Sequence, residues 1–477
     1  MTLPIEDTLW RHRRGLLPEG DPLVSALVEL AGRKRTHTFR SVGLIDVQTG
    51  KVTAPRDLSV VDGRISGWSP VPPVDDRSAR PYWYAVPGFV DAHAHVSSAS
   101  DLVGLLVHGV TAYRQMWGEP AHLYSVGVRR ARNAVLPRAW VTAGLVDGPN
   151  SRIPHAVTLV DGVRAARNVV EDVLAYGFDG IKIYDDLERS AFDLLVREAE
   201  RAGVPVVGHV PEAVPLSEAH QAMRSSEHLY GIVPNVFRLP PSDRWISLAD
   251  ALERHRSDRR ALTANVAGHF ICPTLTAWRA RTGEVRFTQP SRTALQTAAP
   301  SRRWAWHAAV RSALGLDRAE VEWRSAMIDQ LGLVARDLVD QGARLLVGTD
   351  CGNPFVLAGP SYHKEMAELS RAGFGFDVIL RAATTHSHEV MGWGNETGTG
   401  QADLVFFRES PDGDATRLAR PDGVLIDGVF LDSTDLDHLW SLRLKEAGLD
   451  PSVWSRGDLN PPPVNRTQKK EVTSHAG

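Results

Sequence analysis

Six side chains in this 477-residue chain are of types that hold metal ions or move protons, and their settings are alike. His93 and His95 stand two positions apart at the end of Pro87-Gly88-Phe89-Val90-Asp91-Ala92-His93-Ala94-His95-Val96, an apolar run that opens on a turn pair. Side chains alternate along a strand, so both imidazoles point to one side. His209 follows Val206-Val207-Gly208, His228 follows Ser225-Ser226-Glu227, and Asp350 follows Val347-Gly348-Thr349. Neutral imidazole and carboxylate are the ligands that zinc and its neighbours take. The sixth residue, Lys182 in Gly180-Ile181-Lys182-Ile183-Tyr184, is of the wrong charge for a cation site, and burying its ammonium beside one is costly. A lysine amine that has reacted with carbon dioxide is different: the carbamate is an anion with two oxygens and can bridge two metals. Arginine cannot take that role because its guanidinium stays protonated. The chain has seven lysines among 54 Lys and Arg residues, which makes one inside an apolar strand hard to explain as surface decoration.

These residues need a scaffold that brings distant strand ends together. Apolar runs at 88–96, 109–116, 139–146, 179–185, 204–210, 225–233, 270–278 and 343–350 read as strands, several separated by amphipathic helical patterns. In 188–203 the stripe Ala191, Leu194, Leu195, Ala199 and Ala202 predicts a helix that Gly203 ends. Eight such βα units predict an α/β fold, a (β/α)8 TIM barrel with insertions, in which polar groups at strand carboxyl ends converge on one site. No GxGxxG follows the first strand, which argues against a dinucleotide fold. Residues 36–86 and 399–440 carry short strands punctuated by Thr49-Gly50 and Asp62-Gly63, and predict a small β-domain built from both chain ends. The expected organisation is an N-terminal extension at 1–35, that composite domain, a barrel at 87–398 with a helical insertion at 278–341, and a polar, Pro-rich, disordered tail at 450–477.

Composition narrows the classes. A net charge of −3 gives no electrostatic case for nucleic acid or an anionic membrane, and no apolar run reaches the length of a membrane span. Two cysteines, Cys272 and Cys351, cannot build a disulfide framework, and the amino terminus lacks an apolar secretion core; both point to the reducing cytoplasm.

The motifs at 87–96, 179–185, 207–219, 225–231 and 345–352, in this order, closely resemble the metal-dependent amidohydrolase superfamily, with its imidazolonepropionase-like and prolidase-like branch nearest. The resemblance covers roughly residues 36–440. It implies a distorted (β/α)8 TIM barrel, a companion β-sandwich domain built from both chain ends, and a binuclear site of two divalent metal ions, zinc first, with manganese or iron as alternatives. Carried over motif by motif, His93, His95 and Asp350 hold one ion, His209 and His228 the other, and N6-carboxylated Lys182 bridges them with a hydroxide. Imidazolonepropionases proper lack this lysine, so Lys182 points to the peptidase-like members. Asp350 then takes the proton of the nucleophile and returns it to the leaving nitrogen.

Around the site, Arg114, His155, Tyr184 and Tyr230 are candidates for substrate binding, as carboxylate or oxyanion partners. His386 and His388 stand near the asparagine that relatives carry and read as surface residues, with extra metal ligation as the alternative; both cysteines read as packing. Trp278, Trp304, Trp306 and Trp323 suggest an aromatic wall contributed by the insertion. The expected reaction is hydrolysis of a C–N bond in a small peptide or N-acyl compound. The resemblance implies either a dipeptidase or follower-peptide removal in ribosomal peptide maturation, as in bottromycin-type pathways. Opening of a cyclic amidine or imidazolone is the alternative, favoured if Arg114 faces the metals. A non-catalytic, metal-containing peptide-binding protein is the reading from another class. A homo-oligomer is compatible with each.

Overall fold

The computed structural model describes residues 17, 20–71, 81–119, 122–123, 126–127, 134–151, 153–154, 156–235, 239, 243–257, 265–284, 295–298, 302–303, 306–307, 315–394 and 402–457. The chain is mixed α/β. Strands β1 (His37–Leu44), β2 (Arg56–Val61), β3 (Arg64–Pro70) and β4 (Trp83–Pro87) come from its first part. Asp62 and Gly63, with φ of 49° and 77°, make the tight turn between β2 and β3 that the Asp-Gly pair predicts.

The middle of the chain supplies β5 (Phe89–Ala94), β6 (Val110–Gln115), β7 (Arg138–Val141), β8 (Val146–Asp147), β9 (Thr158–Leu159), β10 (Ile181–Ile183), β11 (Val206–Gly208), β12 (Ser225–Glu227), β13 (Phe270–Cys272) and β14 (Arg344–Leu345). They form two all-parallel sheets, β5-β6-β7 and β14-β13-β12-β11-β10-β8-β9. Backbone bonds join these sheets at both ends. Thr142 bridges Gly180 beyond β7, and Ala92 N donates to Val347 O at 2.8 Å beside β5. The residues of β5, β6, β10, β11, β12 and β13 are buried throughout, so these strands do not alternate between buried and exposed positions.

Helices alternate with these strands. In Arg189–Arg201 the buried face is Ala191, Phe192, Leu195 and Ala199, close to the stripe read from the sequence, and Gly203 at φ 69° turns the chain into β11. Helix Ala99–Val107 starts on Ser98, whose hydroxyl accepts from Asp101 N.

Several of the expected strands are shorter than their runs, and three show why. The run at 139–146 divides into β7 and β8. The run at 225–233 ends at Glu227 because His228 and Leu229 take φ of 61° and 62°, outside any strand. The run at 270–278 ends at Cys272; Thr274 at φ 51° redirects the chain into the helix Leu275–Arg279.

From the late part come β15 (Leu404–Phe407), β16 (Gly423–Ile426) and β17 (Val429–Asp432), which join the early strands in one sheet, β17-β16-β15-β4-β1-β2-β3. Phe430 of β17 packs on Phe39 of β1 at 5.0 Å between ring centroids, although three strands separate them in the sheet. Trp83 and Phe406 complete that apolar cluster. The N-terminal helix Pro22–Ala31, started by Asp21, buries Leu23, Val24, Leu27 and Leu30. Arg33 just beyond it pairs with Asp435 of the helix Ser433–Glu446. The tail from 458 onward lies outside the described residues, as do parts of the insertion, including Trp304. No helix among the described residues is long and apolar enough to cross a membrane.

Candidate active site

The carboxyl ends of β5, β10, β11 and β12, with the turn after β14, bring the six candidate residues into one buried cluster. Asp350 Oδ1 lies 3.0 Å from His95 Nε2 and 3.6 Å from His93 Nε2, and its other oxygen is 3.9 Å from His228 Nδ1. One donor atom from each of His93, His95 and Asp350 lies within 4.8 Å of the others. Lys182 Nζ approaches His93 Nε2 to 3.2 Å. The rings of His93 and His228 are 4.6 Å apart, and those of His228 and His209 are 5.1 Å apart.

Three of the four rings are fixed from behind. His93 Nδ1 lies 2.7 Å from Glu227 Oε2, His209 Nδ1 lies 3.0 Å from Asp185 Oδ1, and His228 Nδ1 lies 2.8 Å from Thr274 Oγ1. Such partners set the tautomer that leaves the other ring nitrogen bare for a metal. Asp350 is held through its backbone in a left-handed turn at φ 59°: its N–H donates to His93 O, and its carbonyl accepts from the Asn353 side-chain amide.

The electrostatics suit a cation. Burial, followed by the nearby Lys182 charge, pushes the His93 imidazole below its ordinary range. Burial takes His95 down to about 3 and His228 well below its usual value, so the three rings keep their lone pairs at neutral pH. Burial on its own would raise the Asp350 carboxyl, but His228, His95 and His93 hold it well below the usual carboxylate range. Burial lowers Lys182 to about 8, so part of its population is free amine near neutral pH. His95 Nδ1 is buried without a hydrogen-bond partner, and a lysine amine faces an imidazole nitrogen. A set of neutral nitrogens and one carboxylate gathered this tightly fits a divalent metal.

No family model and no curated protein matches the chain. Among solved structures, a bottromycin amidohydrolase is 66% identical, with a TM-score of 0.89 over 95% of this chain and 100% of that one. The chain belongs to the bottromycin-type metal-dependent amidohydrolases. It is accordingly a hydrolase of C–N bonds, which sets aside the non-catalytic reading. A putative prolidase from Bifidobacterium longum shares the fold at 21% identity, with a TM-score of 0.58 over 87% of this chain and 99% of that one. So does an A. niger ochratoxinase, at 17% identity and a TM-score of 0.53 over 84% and 97% of the two chains.

The residues around the centre of this amidohydrolase fall differently from expectation. Arg114, read as a substrate contact, is fully buried beneath His93. Its fork goes to Glu227 Oε1 at 2.7 Å, Ser225 Oγ at 3.1 Å and Ala92 O at 2.6 Å. Strand alternation carries it below the site rather than into the mouth. Tyr184 stacks on His209 with ring centroids 4.1 Å apart, and Tyr230 stands against His209 at 4.7 Å and His228 at 5.0 Å. Burial raises the Tyr230 phenol well above its ordinary value, so it stays a donor. His155 lies outside the described residues. Of the insertion's tryptophans, Trp278 backs Tyr230 at 5.9 Å, Trp306 is buried, and Trp323 is exposed on the helix Arg318–Asp340. His386 reaches Leu345 O at 3.0 Å, and His388 is buried rather than a surface residue. Cys272 and Cys351 are buried thiols that burial keeps protonated.

Sequence reasoning passed over Glu227, Asp185 and Thr274. Glu227 carried a signal: an acid directly beside the candidate ligand His228. Asp185, after Ile183-Tyr184, looked like an ordinary strand-end acid, and Thr274 had no local mark at all.

Proposed function

We propose that this chain hydrolyses an amide bond of a peptide with two divalent metal ions, zinc by donor chemistry, held by His93, His95 and Asp350 and by His209 and His228. N6-carboxylated Lys182 stands between them. The approach of Lys182 Nζ to His93 Nε2, both buried, carries this reading. A free amine population supports it too, because only the neutral amine combines with carbon dioxide. The scaffold is read as a closed (β/α)8 barrel with a β-sandwich partner. The bonds joining the two parallel sheets support closure, and the contact of Phe430 with Phe39 supports a sheet folded on itself. The domain limits read from the sequence, 36–86 with 399–440 for the β partner and 87–398 for the barrel, are part of this proposal, and the gathering of β1–β4 with β15–β17 in one sheet supports them.

When bound, the two ions supply a nucleophile at neutral pH and positive charge for the developing oxyanion. The chain's own residues do the rest. Asp350, kept anionic by the imidazoles, accepts the proton of the attacking water at its carboxylate and returns it to the departing nitrogen. Tyr230 offers its phenol proton to the substrate carbonyl from the wall formed with Trp278. Glu227, Asp185 and Thr274 keep the rings from turning. The bottromycin amidohydrolase relative directs the substrate choice to a peptide of that pathway, with removal of its follower segment as the reaction. Ring opening of an imidazolone is disfavoured, because Arg114 is spent on Glu227.

The test is mass spectrometry of follower-bearing precursor peptides incubated with chelator-stripped and zinc-reloaded protein. Cleavage only after reloading is expected. Cleavage that persists in the stripped protein removes the metal reading, and intact peptides with metal-loaded protein remove the substrate.

A further inference from the structure

Glu365 belongs to the helix Pro360–Arg371, outside every motif that marks the metal cluster, and yet its side chain is completely buried. Its carboxylate accepts two backbone N–H groups, from Leu275 at 2.9 Å and Thr276 at 2.6 Å. These are the first two residues of the helix Leu275–Arg279, whose start has no side-chain cap of its own. Immediately before them, Thr274 is held at φ 51° and ψ 45°, a conformation that costs a β-branched residue about 1–3 kcal/mol and persists only where its surroundings impose it. The Thr274 hydroxyl is the partner of His228 Nδ1 at 2.8 Å. His228 is itself strained, at φ 61°.

A continuous line of bonds therefore runs from Glu365 through the Leu275 and Thr276 amides to the Thr274 turn, and from its hydroxyl to the His228 ring. Each member of the line is buried, so no water can replace a lost bond cheaply. Helix packing alone does not account for the arrangement. Glu368, one turn further along the same helix, is an ordinary structural carboxylate that takes Arg279 Nε and Nη2 at 3.0 and 2.7 Å. Glu365 instead holds the turn that carries the partner of His228.

We propose that Glu365 is a positioning residue of the metal site: by clamping the Leu275 and Thr276 amides it fixes the Thr274 turn, and through the Thr274 hydroxyl it sets the ring of His228 for its ion. The inference rests on the metal-site reading above. Its consequence is selective, because only His228 hangs on this line. His93 is held by Glu227, and Asp350 by Asn353 and the His93 carbonyl.

The test uses the full chain, stripped with chelator and titrated with cobalt(II), reading the affinity of each equivalent by competition and the visible absorption of the bound ion. Glu365→Met and Thr274→Val are each expected to weaken one of two equivalents about 10–100-fold, to leave the other near wild type and to change the cobalt spectrum. Thr274→Ser, which keeps the hydroxyl, restores wild-type binding. The double variant Glu365→Met with Thr274→Val weakens that equivalent no further than the stronger single change, since both cut the same line. Glu368→Gln lowers the thermal midpoint and leaves both affinities and the spectrum unchanged. Should Glu365→Met fail to fold, Glu365→Gln decides, because its amide can accept only one of the two N–H groups: weakening of the same single equivalent upholds the role, and wild-type affinity overturns it. Equal weakening of both equivalents, or of neither, with only stability lowered, overturns it as well. A wild-type chain that takes up no metal overturns the metal-site reading and this inference together, whereas normal wild-type uptake with an unaffected Glu365→Met overturns this inference alone.

Discussion

Glu227 Oε2 lies 2.7 Å from His93 Nδ1, and the other carboxylate oxygen takes Arg114 Nη2 at 2.7 Å. None of the three side chains reaches solvent. The imidazole is thus steadied by a carboxylate that a guanidinium neutralises in turn. Burial alone would raise Glu227, but Arg114, followed by His93, holds it well below the ordinary carboxylate range.

Cutting this triad strands a buried charge. Glu227→Gln leaves the Arg114 guanidinium without its anion, and the expected loss is about 3–5 kcal/mol of folding stability. Denaturant unfolding of metal-free protein measures it. Arg114→Met strands Glu227 in the same way, and the two changes together cost less than their sum. Independent, fully additive losses would show that the pair does not act as a unit.

Asp350→Asn separates chemistry from fold. The turn is carried by backbone bonds to His93 and Asn353, and asparagine tolerates a left-handed φ better than most residues. Thermal stability is expected to stay close to wild type while turnover falls by roughly 10²–10⁴-fold. Turnover at the wild-type level would remove Asp350 from the proton-transfer role.

Lys182→Ala deletes the group placed against His93. Metal content per chain, read by elemental analysis, is expected to fall, with activity lost in parallel. A short carboxylate such as propionate, added with zinc, is expected to restore part of both by supplying an anion to the vacated space. Full metal loading of Lys182→Ala without any added carboxylate would exclude a bridging lysine carbamate.

Two buried histidines away from the cluster make stability fall in acid. Burial takes His269 down to about 3 and His363 down to about 4, against an unfolded value of about 6.5. Their folded pKa values are depressed, so the unfolded chain binds protons first as pH drops below about 6.5. Their contribution is complete above that pH and shrinks through the window toward 4 and 3, by at most about 1.4 kcal/mol per pH unit for each ring. The thermal midpoint of metal-free protein should therefore decline from pH 7 to 4.5, and His269→Gln should flatten the slope. An unchanged slope in that variant would exclude His269 as a source.

The membership of the cluster was legible along the chain because side chains able to bind metal are few in type and strand ends are easy to find. His93 and His95 declare a common face by alternation, and Lys182 stands out in a lysine-poor chain. The strands themselves were legible because a parallel sheet buried on both faces leaves an apolar run. Their carboxyl boundaries were not: β12 stops at Glu227 and β13 at Cys272, where His228 and Thr274 adopt left-handed conformations that local sequence does not favour. Tertiary bonds decide such turns, since the strain is met only when Glu365 and its neighbours are in place.

The fate of Arg114 follows the same division. Its residue type and strand were plain from the sequence, yet whether its fork faced substrate or the protein interior depended on Glu227, 113 positions away. The chain by itself determined the set of side chains able to bind metal and the order of the elements that carry them. Only the folded molecule decided which carboxylate or hydroxyl stands behind each imidazole, because those partners are chosen by packing between strands and helices far apart in the chain.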